Sequence, residues 1–169
     1  MKYSLILFVI VIGCEFKTSA FGQSATSSAT ASIVQPINLL KVRDLSFGNI
    51  AAGETSGTVV LAPTAAGIRS ASGGVTLPAW SGTVQSAKFI VSGVDGYTYS
   101  IILPSASITL SDGTHSMTID NFTSIPSGSG LFTPGSQIIY VGATLNVNAN
   151  QEEGDYESTE DIEITVNYN

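Results

Sequence analysis

Period two governs this chain. From Ser24 onward, apolar and polar residues alternate in short runs, and no window sustains the 3.6-residue period of a helix. In the Ser/Thr/Ala stretch Ser24–Ser32, Ala25, Ala29, Ala31 and Ile33 fall on one face, with Thr26, Ser28, Thr30 and Ser32 on the other. Successive side chains on opposite faces are the mark of a strand. Lys88–Val91 and the series Tyr97, Tyr99, Ile101, Leu103 flank Asp95-Gly96, while Ile108–Leu110 and Met117–Ile119 flank Asp112-Gly113. Asp-Gly between alternating runs predicts a hairpin in each case. Ile139, Val141, Ala143, Leu145 and Val147 share one face of a long strand. Ile162, Ile164, Val166 and Tyr168 share a face of the last strand, opposite Glu163, Thr165, Asn167 and Asn169. Gly73-Gly74, Pro78, Pro104, Pro126 and Pro134 punctuate the chain, and 124–136 reads as its longest loop. Many short strands at roughly 8–12-residue spacing indicate an all-β sandwich or barrel.

The first twenty residues read differently. Met1-Lys2 is a short positive start, and Tyr3–Gly13 is an apolar run. That run is shorter than the roughly 20 residues a membrane span needs, and it fits the core of a secretory signal peptide. Small-residue cleavage sites follow at Thr18-Ser19-Ala20 and Ala20-Phe21-Gly22. The expected organisation is a signal peptide at 1–20 and one β-sandwich domain at 23–169, secreted or held at the cell surface. Cys14 ends a lipobox-like Val11-Ile12-Gly13-Cys14, so lipid anchoring is the minority alternative to its removal with the leader. Without Cys14 the exported chain has no cysteine, hence no disulfide framework.

Only 11% of the 169 residues are charged, and the formal net charge is −7. Loss of Lys2, Glu15 and Lys17 with the leader takes it to −8. An acidic surface repels nucleic acid and anionic lipid, so neither is an expected partner. No catalytic centre, metal or cofactor is expected. His115 is the one histidine and follows the Asp112-Gly113 turn, and the chain lacks a Gly-x-Ser-x-Gly elbow. One histidine cannot build a structural zinc site. Glu152, Glu153, Asp155, Glu157, Glu160, Asp161 and Glu163 crowd one stretch without calcium-loop spacing, and read as a solvated hairpin protecting a sheet edge, with a calcium site as the alternative. The lone Trp80 is expected in the core, with a sugar-stacking platform as the alternative. Asn121-Phe122-Thr123 matches a glycosylation acceptor, a triplet too common to carry weight.

A series of short segments, in order, resembles a bacterial secreted family, the domain-of-unknown-function 4402 family. They are Leu45-Ser46-Phe47-Gly48, Phe89–Gly93, Tyr99–Pro104, Met117-Thr118-Ile119, Val141–Leu145, Gly154-Asp155-Tyr156 and Thr165–Tyr168. The resemblance runs from about Ala29 to Asn169. That family is similar in turn to the spore coat protein U domain, which includes pilin subunits of chaperone–usher systems. The resemblance implies an immunoglobulin-like, pilin-like antiparallel β-sandwich and no catalytic residues. The chain departs from the pattern in having no cysteine near Leu45–Gly48, and Ser158 where a glycine is usual.

The functional expectation is a non-catalytic surface structural protein, a fimbrial or surface-layer subunit assembling through edge-strand pairing. Its partners would be further copies of itself or related surface subunits, with a periplasmic chaperone during export. The candidate assembly strands carry Ala29, Ala31 and Ile33 at one end and Ile162, Ile164, Val166 and Tyr168 at the other. Main-chain pairing gives such strand addition its affinity and alternate side chains its specificity. The other reading of the first strand is that residues 29–40 are the domain's own. The alternative function is an adhesin or glycan-binding module, using loop 124–136 with Trp80 as a ligand contact.

Overall fold

The computed structural model describes residues 21–133 and 136–169. The apolar leader and Cys14 lie outside them, as do Pro134 and Gly135. The chain divides into Met1–Ile33 and Val34–Asn169. In the first unit, residues 21–33 form no strand and every side chain is exposed. The alternation across Ala25, Ala29, Ala31 and Ile33 is therefore not used as a strand. Alanines bury too little apolar area to hold one in place without a partner.

The second unit is all-β, with eleven strands and no helix among the described residues. They are β1 (Asn38–Arg43), β2 (Ala51–Leu61), β3 (Arg69–Thr76), β4 (Ala87–Ser92), β5 (Thr98–Ile102), β6 (Ile108–Ser111), β7 (Ser116–Ile125), β8 (Ser129–Leu131), β9 (Ser136–Val147), β10 (Glu157–Ser158) and β11 (Thr165–Tyr168). Of the range 29–40 read as the domain's own first strand, only Asn38–Leu40 is in that strand, whose ladder starts at Asn38. A large antiparallel sheet in the order β1-β4-β9-β7-β6-β10, with β2 and β3 branching from β9, curls into a half-barrel. A small sheet has the order β11-β5-β8.

Strand β9 organises both layers. Ile139, Val141, Ala143, Leu145 and Val147 are all at most 4% exposed, as their shared face requires. One edge pairs with β7; the other pairs first with β4 over 136–141 and then with β2 over 143–147. Gly142 sits at the changeover, where the chain leaving β2 crosses close over it. Across the curl, cross-strand pairing lines up Ala71, Val59, Leu145, Ile119 and Ile108 on the inner face. They belong to a first core cluster plugged by Phe47 from the Leu45–Gly48 segment. A second cluster joins the small sheet to the large one, with Phe89, Val91, Ile139 and Val141 meeting Tyr99, Ile101, Phe132 and Ile164. Each buried aliphatic or aromatic side chain contributes roughly 1.5–3 kcal/mol.

Two local expectations change. Asp112-Gly113 does close a hairpin, with Ser111 opposite Ser116. Asp95-Gly96 does not, because β4 already has β1 and β9 on its two edges, and β5 pairs in the other sheet with β11 and β8. The reversal itself is real: Gly96 has φ +80° and Tyr97 N–H donates to Val94 C=O at 3.2 Å. Loop 124–136 is not structureless, since it holds the end of β7, a cis Ile125-Pro126 bond and all of β8. The β2–β3 hairpin has no clear period-two signature. Gly53, Gly57, Gly73 and Gly74 interrupt its alternation, and the register shifts between Ala52 and Gly57.

Gly142 gives a test of the β9 changeover. A Cβ there would stand 2.8 Å from Pro63 N and 2.9 Å from Ala62 C, both backbone atoms that cannot rotate aside. Gly142→Ala is expected to lower stability by about 1–3 kcal/mol. Urea unfolding should show a lower midpoint with an unchanged slope.

Candidate functional site

The two sheets each end on a strand with a free edge, and one side chain brings them together. β1 closes the large sheet and β11 the small one, and neither outer edge carries a backbone ladder among the described residues. Tyr168, on β11, accepts a hydrogen bond from Val94 N–H at 2.9 Å and donates one to Gln35 C=O at 2.9 Å. Its hydroxyl thus ties the last strand to the β4–β5 turn and to the chain just before β1. The Tyr168 ring packs edge-on against Tyr97 and Phe132, with centroids 5.7 and 5.8 Å away. Gly93 lies beneath this cluster, because a Cβ there would meet Phe132 and Tyr168 at 2.7 Å. Ile37, Leu39, Val166 and Tyr168 all pack, half-buried, on the second core cluster, so the seam has an apolar floor.

The predicted face of the last strand is borne out in its burial. Ile164 is core, and Val166 and Tyr168 are half-buried between exposed neighbours. Ile162 turns to the first core cluster, and the ladder itself begins at Thr165. On the other edge, Lys41 reaches Asp44 at 2.7 Å and Arg43 Nε donates to Ser86 C=O at 2.9 Å. Charges and a register shift between Lys41 and Arg43 discourage indiscriminate pairing along β1.

Trp80 is not in the core. It is 82% exposed, and the plug expected of it is supplied by Phe47 instead. Its loop is nonetheless held firmly. Asn49 N–H donates to Ser81 C=O at 2.7 Å, Asn49 Nδ2 donates to Trp80 C=O at 3.2 Å, and Arg69 bonds the Phe47 and Asn49 carbonyls. Loop 124–136 belongs to a different part of the molecule. Its Phe132 is 1% exposed in the second cluster, and Gly130 lies against the buried Tyr99 ring. Trp80 instead lines a groove of about 1520 Å³ that reaches inward to Phe47, Ile119 and Leu145 of the first core cluster.

His115 and its neighbours are committed to a turn. Asp112 accepts from the backbone N–H of His115 at 2.6 Å and of Thr114 at 2.7 Å, and its other oxygen lies 3.1 Å from His115 Nδ1. Ser111 Oγ donates to the His115 carbonyl, not to the imidazole, so the three do not form a nucleophilic relay. The acidic stretch is no hairpin. Glu157-Ser158 forms the two-residue β10, which covers the edge of β6, and the seven carboxylate residues are exposed. No three His, Cys, Asp or Glu among the described residues converge as metal ligands. Asn121 sits at a bulge in β7 with φ +48°.

These features define an all-β protein of one curled and one small antiparallel sheet, with Tyr168 of the terminal strand β11 bonded to Gln35 just before β1. The chain belongs to the family described as domain of unknown function (DUF4402), whose model matches residues 37–168. No curated protein and no solved structure matches it.

Two measurements probe the geometry. Tyr168→Phe removes both bridging bonds while keeping the ring. It should cost about 1–2 kcal/mol and speed hydrogen exchange at the Val94 amide. The two backbone N–H donors hold the Asp112 carboxyl at about 2, below its ordinary 3.8. Because the folded value is depressed, the turn's stabilisation is complete above the unfolded value and is lost as pH falls toward 2. Carbon-detected NMR should find the Asp112 midpoint there and not near 3.8.

Proposed function

We propose that this protein is an exported, non-catalytic structural subunit of the cell surface that assembles through edge-strand pairing. The observation that carries this reading is the seam of two unpaired edges, β1 and β11, with an apolar floor and a tyrosine bridge at Gln35. The chain preceding Gln35 supplies the complementary element. Residues 21–34 are exposed, form no strand, and alternate so that Ala25, Ala29, Ala31 and Ile33 share a face. Donated to a second copy, such a segment gains main-chain hydrogen bonds, each contributing about 1 kcal/mol net. Heterologous donation of this kind builds a fibre wherever the rotation between successive copies does not close.

The finer fold in this reading is an immunoglobulin-like, pilin-like sandwich. The cluster shared by the two sheets supports it, as does the resemblance of the chain's family to spore coat protein U domains. The signal-peptide pattern at 1–20 supplies the route out of the cytoplasm, and the absence of cation-rich stretches argues against nucleic acid as a partner. A periplasmic chaperone would cover the same free edges before assembly.

The decisive comparison is between residues 23–169 and a form lacking 23–34. The longer protein should form concentration-dependent multimers by analytical ultracentrifugation, and the shorter one should remain monomeric. Equal, monomeric behaviour of both at every concentration would exclude strand donation.

A further inference from the structure

Trp80 has a chemistry that the assembly reading does not use. A tryptophan is a large apolar surface, and leaving it 82% exposed forgoes one of the largest burial gains any side chain offers. Its loop is nevertheless fixed from below. Gly48 and Gly82 both have positive φ, and a Cβ at Gly82 would strike the Asn49 amide at 2.9 Å. The carbonyls of Trp80 and Ser81 are both taken by Asn49, and Arg69 holds the Phe47–Asn49 strip. A rigidly presented aromatic is the kind of anchor that gives recognition surfaces their affinity at little entropic cost.

The surroundings specify the partner's chemistry. The two segments that frame Trp80, residues 45–53 and 70–87, contain no charged residue. They offer hydroxyl and amide groups, among them Asn49 and the exposed Thr83. The groove that Trp80 lines, at about 1520 Å³, exceeds the roughly 300–1,000 Å³ of small-molecule pockets. A second aromatic, Tyr156, also lines it, fixed by Gln151 Nε2 at 2.8 Å and by its own bond to Glu152 C=O at 2.9 Å. Farther along, Glu152, Glu153, Asp155, Glu157 and Asp161 accept hydrogen bonds and repel anions, while the groove's two cations are engaged, Lys41 with Asp44 and Arg43 with the Ser86 and Ala65 carbonyls. A partner must therefore present an apolar face to the indole, carry neutral donors, be extended, and bear no negative charge. A pyranose ring shows a C–H face and a girdle of hydroxyls, and a chain of them is long enough for the groove. We infer that the Trp80 groove binds an unbranched neutral polysaccharide.

Trp80 is the chain's one tryptophan, so its emission reports on this site alone. The purified protein is titrated with cello-, malto-, laminari- and N-acetylchito-hexaose, and with a lysine-rich hexapeptide. At least one sugar should shift the emission to the blue with saturation. By calorimetry, Trp80→Ala should weaken that sugar at least about tenfold with an unchanged thermal unfolding curve. No emission change and no heat with any of the four sugars at millimolar concentration overturns the inference. A response to the peptide without one to sugar overturns it in favour of a cationic partner. A shift that follows protein concentration alone assigns Trp80 to a contact between copies and equally overturns it. Deleting 23–34 leaves this site intact, so sugar binding and strand donation fail or succeed separately.

Discussion

Strand β9 is the constraint on which the rest of the molecule depends. One of its edges is occupied by β4 and then β2 along nearly its whole length, and the other by β7 over Tyr140–Asn146. A central strand of this kind leaves its neighbours little freedom. Its one buried face commits β4 and β2 to a single register each, because a one-residue slip would turn their apolar side chains to solvent. The changeover at Gly142 also explains the curl. The chain between β2 and β3 passes over the junction there, and Gly142, lacking a side chain, makes room for it. The inner face divides there into the two core clusters, one within the half-barrel and one beneath the small sheet.

How legible this was in the sequence depends on what carried each element. β9 could be read because five apolar residues at spacing two demand one buried face. The burial of β11 could be read for the same reason. The β2–β3 hairpin could not, because its glycines serve close backbone approach and a bulge, which hides the period. Asp95-Gly96 illustrates a different limit. Turn chemistry is local and specifies where a chain reverses, whereas the partner depends on which edges remain open, and β4 had none. Trp80 was misplaced for an energetic reason: core volume favours the largest side chain, but Phe47 was already positioned by Gly48 and the Ser46–Gln85 bridge to fill it.

The seam was legible only in part. The alternation of Ile164, Val166 and Tyr168 announces a half-buried strand, yet nothing in a linear pattern says that Tyr168 will meet Gln35 and Val94. That triple junction arises from topology. The order β11-β5-β8 places the last strand at a sheet end, and β1 lies at the end of the other sheet. A tyrosine there can satisfy two backbone groups from separate segments with one hydroxyl, while its ring packs on Tyr97 and Phe132.

An open seam carries a hazard, since unpaired edges recruit strands indiscriminately. Its two sides are restrained in different ways. Lys41, Arg43 and a bulge break the regularity of β1. β11 is only four residues long and presents Thr165 and Asn167 outward. Under the proposed assembly, such an edge admits a strand only where its own alternation matches the floor formed by Leu39 and Val166. Small residues suit that position better than large ones, because the floor is already half-covered by the flanking strands. The alanines at 25, 29 and 31, too small to hold a strand within their own copy, are then the right size for a shallow slot, and Ile33 alone supplies bulk.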